Sequence, residues 1–300
     1  MDELRLGVFS PSVLLDVART TGRLADAGLD VVEVPVPSSP AQFASLRDGG
    51  FDAVFTSPDN VLAYRFLPAN PLGQLLDVEI VAGVDRGLGL CLATRPGTGD
   101  VTDLLGGSLG VDVPNSGFAF VGYALLEELG VTQGQFDGVS LGSTPKRARA
   151  LCGGGCDVTV LNAGNELAAR SRGAALAAEV TRLGPYLGTV VARMRQGPNA
   201  AAVERLLPVL VETAAAITTG QLTAQACRSA ACLLELGPDD AAEHVRVLQD
   251  PSRGLIGDGR VDAKAFGTLV SLRRRFLPVA ELPRVTARLD ELVRPAVLVG

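Results

Sequence analysis

The sequence predicts an α/β protein of two lobes, each a sheet flanked by helices, joined by two crossing strands. Three observations predict it. A strand, a polar turn and a helix follow one another four times, with strands at Leu4 to Phe9, Asp52 to Thr56, Leu109 to Val113 and Asp157 to Leu161. The alternation stops near residue 85 and starts afresh after residue 94. Two apolar stretches flanked by glycine, at 84–94 and 182–192, lie where composition changes and are read as the crossings between lobes. The expected division is therefore 1–86 with 190–300 in one lobe and 87–189 in the other.

In chain order, Leu4 to Phe9 reads as a strand, Ser10-Pro11-Ser12 as a turn, and Val13 to Ala27 as one helix. Leu29 to Val36 alternates as a strand and ends at a proline cluster, and a short helix follows over Ala41 to Asp48. Strand Asp52 to Thr56 feeds Ser57-Pro58-Asp59-Asn60 and a further helix; Val78 to Val84 closes this run, for which a parallel sheet covered on both faces is expected. In the second lobe, Phe118 to Leu129 places Phe118, Val121, Leu125 and Leu129 on one helix face. A strand near Val139 to Leu141, a helix after Ser143-Thr144-Pro145, strand Asp157 to Leu161 and a helix to about Gly173 complete it. From Asn199 the chain is helical, with Ala201 to Thr219 the longest candidate, later helices starting near Asp239 and Ala263, and a last one from about Leu282 to Val293. Arg273-Arg274-Arg275 is read as a solvated face.

Composition narrows the function classes. With 47% hydrophobic and 20% charged residues the composition argues for well-filled cores and against disorder. A formal charge of −6 without a basic run argues against nucleic-acid binding. No apolar stretch is long enough to span a bilayer, and MDELRLGVF opens without the pattern of an export signal. Localisation is cytoplasmic if Met1 is the natural start and extracytoplasmic if a signal segment has been removed. The five cysteines, an odd number, lean toward a reducing compartment and are expected to be unpaired; CGGGC at Cys152 to Cys156 reads as a Gly-rich helix end. With a single His, no metal site is expected, nor any cofactor.

Candidate site residues lie where strands run into helix N-termini, because backbone N–H groups and the helix dipole point there at an anion. In open α/β sheets ligands bind beyond the carboxyl ends of the strands, so four such loops outline a cleft. They supply Ser10 and Ser12; Ser57, Asp59 and Asn60; Asn115, Ser116, Gly117 and Phe118; and Asn162 and Asn165, with Asp85 at a crossing. If the cleft is catalytic, Asp59, Asp85 and Lys146 are the titratable candidates. His244 lies far in sequence from all four loops, and a surface or packing role is expected for it. No Ser-His-Asp or Cys-His arrangement is legible.

The stretches GVDRGLGLCLATRPG, VTDLLGGSLGVDVPNSG and LGSTPKRARALCGGGCDVTVLN together resemble the type 2 periplasmic substrate-binding proteins of ABC importers, in the aliphatic-sulfonate, nitrate and thiamine-precursor branch. The resemblance covers nearly the whole chain. It implies the two-lobed type 2 fold, hinge closure on a small molecule, and an ABC permease as partner. By position it matches Ser10 to Ser12, Ser57 to Asn60, Asn115 to Phe118 and Asn162 to Asn165 to the cleft loops, and Asp85 and Arg86 to a crossing. Enzymes share the fold, so two functions are carried forward. One is a solute-binding protein for a small anion; the alternative is a cytosolic lyase, decarboxylase or desulfinase acting on a small carboxylate or sulfur compound. The desulfinases place a Cys in the first loop, where this chain has Ser10 and Ser12.

Overall fold

A computed structural model describes residues 1–98, 100–132, 134–282 and 288–299. The chain opens with β1 (Asp2–Val8), α1 (Val13–Thr20), α2 (Arg23–Asp26), β2 (Leu29–Pro35), α3 (Ser39–Arg47), β3 (Ala53–Thr56), α4 (Pro58–Phe66) and β4 (Val78–Asp85). The helices start where small hydroxyl residues can satisfy their first N–H groups: Ser12 Oγ accepts from Leu15 N at 3.3 Å, and Ser57 Oγ from Asp59 N at 3.3 Å. The single helix expected over Val13 to Ala27 is two helices, because Gly22 at φ 80° takes the left-handed conformation that ends the first.

The second run comprises β5 (Cys91–Thr94), β6 (Ser108–Val111), α5 (Gly117–Glu128), β7 (Asp137–Ser140), α6 (Thr144–Cys152), β8 (Val158–Leu161), α7 (Asn165–Arg170) and β9 (Ala175–Glu179). Its sheet has the order β7-β6-β8-β5-β9, with β6 parallel to β7 and β8, and β5 antiparallel to β8 and β9. Strand β9 escaped the sequence reading because ALAAE carries none of the β-branched or aromatic side chains that mark strands. The chain then returns as β10 (Thr189–Met194). The first sheet has the order β2-β1-β3-β10-β4, and β10 lies antiparallel to both its neighbours. The all-parallel first sheet expected from the alternation is therefore corrected to a mixed one: a returning strand occupies its interior.

Helices α8 (Ala200–Thr218), α9 (Thr223–Leu233), α10 (Pro238–Gln249) and α11 (Ala263–Phe276) follow, then α12 (Leu289–Leu292). A short parallel pair joins β11 (Val261–Asp262) to β12 (Leu298–Val299). The expected last helix, from about Leu282, falls partly on residues 283–287, outside the described residues. All five cysteines are free.

Residues 86–90 and 180–188 carry the chain between the two sheets. Asp85 fastens the two crossings to each other. Its Oδ1 accepts from Gly87 N at 2.7 Å, and its carbonyl accepts from Gly188 N at 2.9 Å. A Cβ on Gly188 would come within 2.3 Å of both Asp85 Oδ1 and Gly87 N, so only glycine fits there.

Candidate functional site

Four helix N-termini converge on one cavity of about 100 Å³ between the sheets: those of α1 and α4 from one side, α5 and α6 from the other. Phe9, Val13, Leu14, Phe55, Val84 and Phe118 contribute apolar wall. Both lobes supply polar wall: Ser10, Ser12, Thr56, Ser57, Asn60, Asp85 and His244 from the first, and Asp112, Ser116, Thr144, Arg147 and Asn162 from the second.

Of the residues expected here, Ser10, Ser12, Ser57, Asn60, Asp85, Ser116, Gly117, Phe118 and Asn162 line this cavity. Ser12, Ser57 and Ser116 each cap a helix, and Asn60 Nδ2 donates to Thr56 Oγ1 at 3.1 Å. Three expected residues do not line it. Asp59 is buried beneath it, gripped in a bidentate pair by Arg273 Nε and Nη2, both at 2.6 Å. Asn115 is exposed and offers its carbonyl to Arg273 Nη2 at 3.2 Å, and Asn165 Nδ2 turns back to Asn162 O at 2.9 Å.

The catalytic candidates fare similarly. Asp59 is committed to Arg273, and Lys146 is exposed and absent from the wall, since it sits one position out of phase with the buried face of α6. Asp85 reaches the cavity, but its carboxylate organises the crossings; burial pushes it up to about 6 against the hydrogen bonds from Thr189 and Gly87. Arg273 also corrects the reading of the arginine run as a solvated face. It is 3% exposed, paired with Asp59 and stacked 5.0 Å from the centre of the Phe120 ring, so it joins α11 to both lobes.

The side chains that the loop argument missed are Asp112, Thr144, Arg147, Thr189 and His244. Arg147 is 2% exposed. Its Nε donates to Val160 O at 3.3 Å, Nη1 to Gly142 O at 2.6 Å, and Nη2 to Thr144 Oγ1 at 3.0 Å and Val160 O at 3.1 Å. Every partner is neutral, and among the described residues no carboxylate comes within ion-pair distance. Asp112, half-buried, attracts it from further off and accepts a hydrogen bond from Ser116 Oγ; burial raises the Asp112 carboxyl, a shift Arg147 and Ser116 oppose. His244, expected at the surface or in packing, is 1% exposed and reaches the cavity from α10. Burial pulls it down to about 4, so it is neutral at pH 7. Among the described residues no cluster of His, Cys, Asp and Glu could hold a metal ion. No helix among them is long and apolar enough to cross a membrane.

Solved structures match this architecture end to end. The alkanesulfonate-binding protein SsuA from Xanthomonas axonopodis pv. citri, bound to MOPS, superposes with a TM-score of 0.73 at 18% identity, over 95% of this chain and 97% of that one. The chain has the periplasmic binding-protein fold. The periplasmic nitrate-binding protein NrtA from Synechocystis PCC 6803 has a TM-score of 0.76 at 13% identity, covering 98% of this chain and 86% of its own. The aliphatic sulphonate binding protein SsuA from Escherichia coli gives 0.66 at 19% identity, over 95% and 91%. No family model and no curated protein matches the sequence. In this binding-protein fold the cavity lies between the lobes, and the crossings held by Asp85 are the connections about which they are joined.

Proposed function

We propose that the protein is a solute-binding component of ABC-importer type, which closes its lobes on a small anion with a short apolar body and presents it to a permease. The lobes are taken as 1–86 with 190–300, and 87–189. Arg147 carries the reading. A buried guanidinium cannot shed its charge, and its planar fork suits carboxylate, sulfonate or nitrate oxygens. Here it is held by carbonyls and a hydroxyl and lines the cavity without a carboxylate at ion-pair distance. The likeness to sulfonate- and nitrate-binding proteins supports the same chemistry. Of the cavity-facing acids, Asp85 organises the crossings and Asp112 accepts from Ser116, which leaves the enzyme alternative only the neutral His244.

The test is calorimetric titration of sulfate, nitrate, methanesulfonate and butanesulfonate, beside uncharged molecules of the same shape, into the native protein and Arg147→Met. One or more anions should bind, and Arg147→Met should weaken binding about 100-fold, as expected when a charge-assisted pair is lost. Preference for the uncharged molecules, or undiminished anion binding by Arg147→Met, would overturn the reading.

A further inference from the structure

The geometry points to a ligand with two polar ends: His244 receives an uncharged hydrogen-bonding group on the solute where α10 meets the cavity. This rests on the reading of Arg147 as the anion site. Nearly every buried polar atom in a native protein has a partner. His244 Nδ1 has none, although the ring lines the cavity and is almost wholly enclosed. Leu88, Leu248 and Leu255 border the cavity on the same side and offer it no counter-charge. A neutral imidazole has one donor and one acceptor nitrogen, and so suits a hydroxyl or amide rather than a second ion.

The loop after β8 runs past both sites. Asn162 Oδ1 accepts from Thr144 Oγ1 at 3.4 Å, beside Arg147, while a Cβ on Gly164 would lie 3.5 Å from His244 Nδ1. One loop thus borders the surroundings of both sites, so a single small solute can meet both.

Two sulfonates of equal heavy-atom number separate the possibilities: propanesulfonate with a hydroxyl on its terminal carbon, and butanesulfonate, which ends in a methyl. The native protein should bind the hydroxylated probe about tenfold more tightly, and His244→Phe should bring the two within about twofold. Because His244 is the chain's one histidine, protein labelled with ¹⁵N-histidine and carrying no histidine tag gives as its imidazole signal the pair of ring-nitrogen resonances of that one residue. The hydroxylated probe should shift that signal and butanesulfonate should leave it in place, a readout that needs no variant to fold. Equal affinities with an unmoved imidazole signal overturn the assignment of His244 alone, provided Arg147→Met weakens both probes. If Arg147→Met weakens neither probe, or neither probe binds at millimolar concentration, the anion site falls and this inference falls with it.

Discussion

Arg147 and Arg273 are both almost fully buried in the second lobe's neighbourhood, yet their surroundings differ in one respect. Arg273 has its counter-ion within the chain: Asp59 grips two of its nitrogens at 2.6 Å, Asn115 O takes another contact, and Phe120 lies under the guanidinium. Arg147 makes four hydrogen bonds, none of them to a carboxylate. A buried arginine cannot neutralise itself, so its charge has to be met from somewhere. Where the chain supplies the anion, the arginine joins pieces of the fold; where it does not, a position is open to an anion from outside. Glu166 shows the third solution. This carboxyl is sealed at the start of α7 with no ion pair among the described residues, and burial pushes it up to about 8 against the backbone N–H groups of Glu166 and Gly164, so that at neutral pH it stays largely protonated.

The comparison breaks most readily at Asp59. Replacing it with Asn strands Arg273, and urea unfolding should show a loss of about 3–5 kcal/mol, much of it recovered when Arg273 is also changed to Met. A loss below 1 kcal/mol would mean that the pair does not hold the fold. Next comes Arg147→Met, whose cost should fall on the ligand: about 2.7 kcal/mol of binding, the equivalent of 100-fold, with less damage to the ligand-free protein than Asp59→Asn causes. Equal damage from the two variants would erase the distinction between them.

Glu166 sharpens the contrast through pH. Its folded pKa is raised above the unfolded value of 4.5, so its contribution is fully present below that value and is lost as pH rises through about 8. Asp85, raised to about 6, acts in the same sense, whereas His244, lowered to about 4, gives stability that grows as pH climbs from 4 toward 6.5. Above pH 6.5 Glu166 is therefore the one of the three still changing. Between pH 6.5 and 8 the native protein should lose about 1–2 kcal/mol that Glu166→Gln retains, at up to about 1.4 kcal/mol per pH unit. Denaturant titrations at the two pH values with parallel slopes for both proteins would refute this. The smallest effect belongs to Lys146→Ala: beside Arg147 in sequence but exposed, it should move unfolding by less than about 0.5 kcal/mol and leave anion titrations unchanged.

Much of the frame could be read from the residues, because each βα unit carries its own signals in a few consecutive positions. Ser12, Ser57 and Ser116 announce helix starts, and those starts reach the cavity. What escaped depends on partners distant in the chain. Nothing in TVVARM says that it will enter between β3 and β4, and nothing in the arginine run says that its first member will meet Asp59. Arg147 did leave a trace. Thr144, Arg147, Ala148 and Leu151 fall at the i, i+3, i+4 and i+7 positions of one helix face, all buried, and a charge on such a face is a signal in itself. Lys146 drew attention as the nearer neighbour of Pro145, although its phase on the helix points it outward. His244 shares a buried face with Ala241, Val245 and Leu248, a pattern that reads as core and conceals the cavity beyond it.

The position of β10 also sets an order of assembly. The first lobe's sheet needs a strand from beyond residue 188 in its interior, so a chain still emerging from the ribosome has β1 to β4 without the piece that joins β3 to β4. The second lobe has no such debt, since all five of its strands lie between residues 91 and 179. At synthesis rates of about 5–20 residues per second, the interval between β4 and β10 lasts roughly 5–20 s. For that time the half of the molecule made first waits, with open strand edges, on the half made second, and the contiguous lobe is complete before the discontinuous one can close.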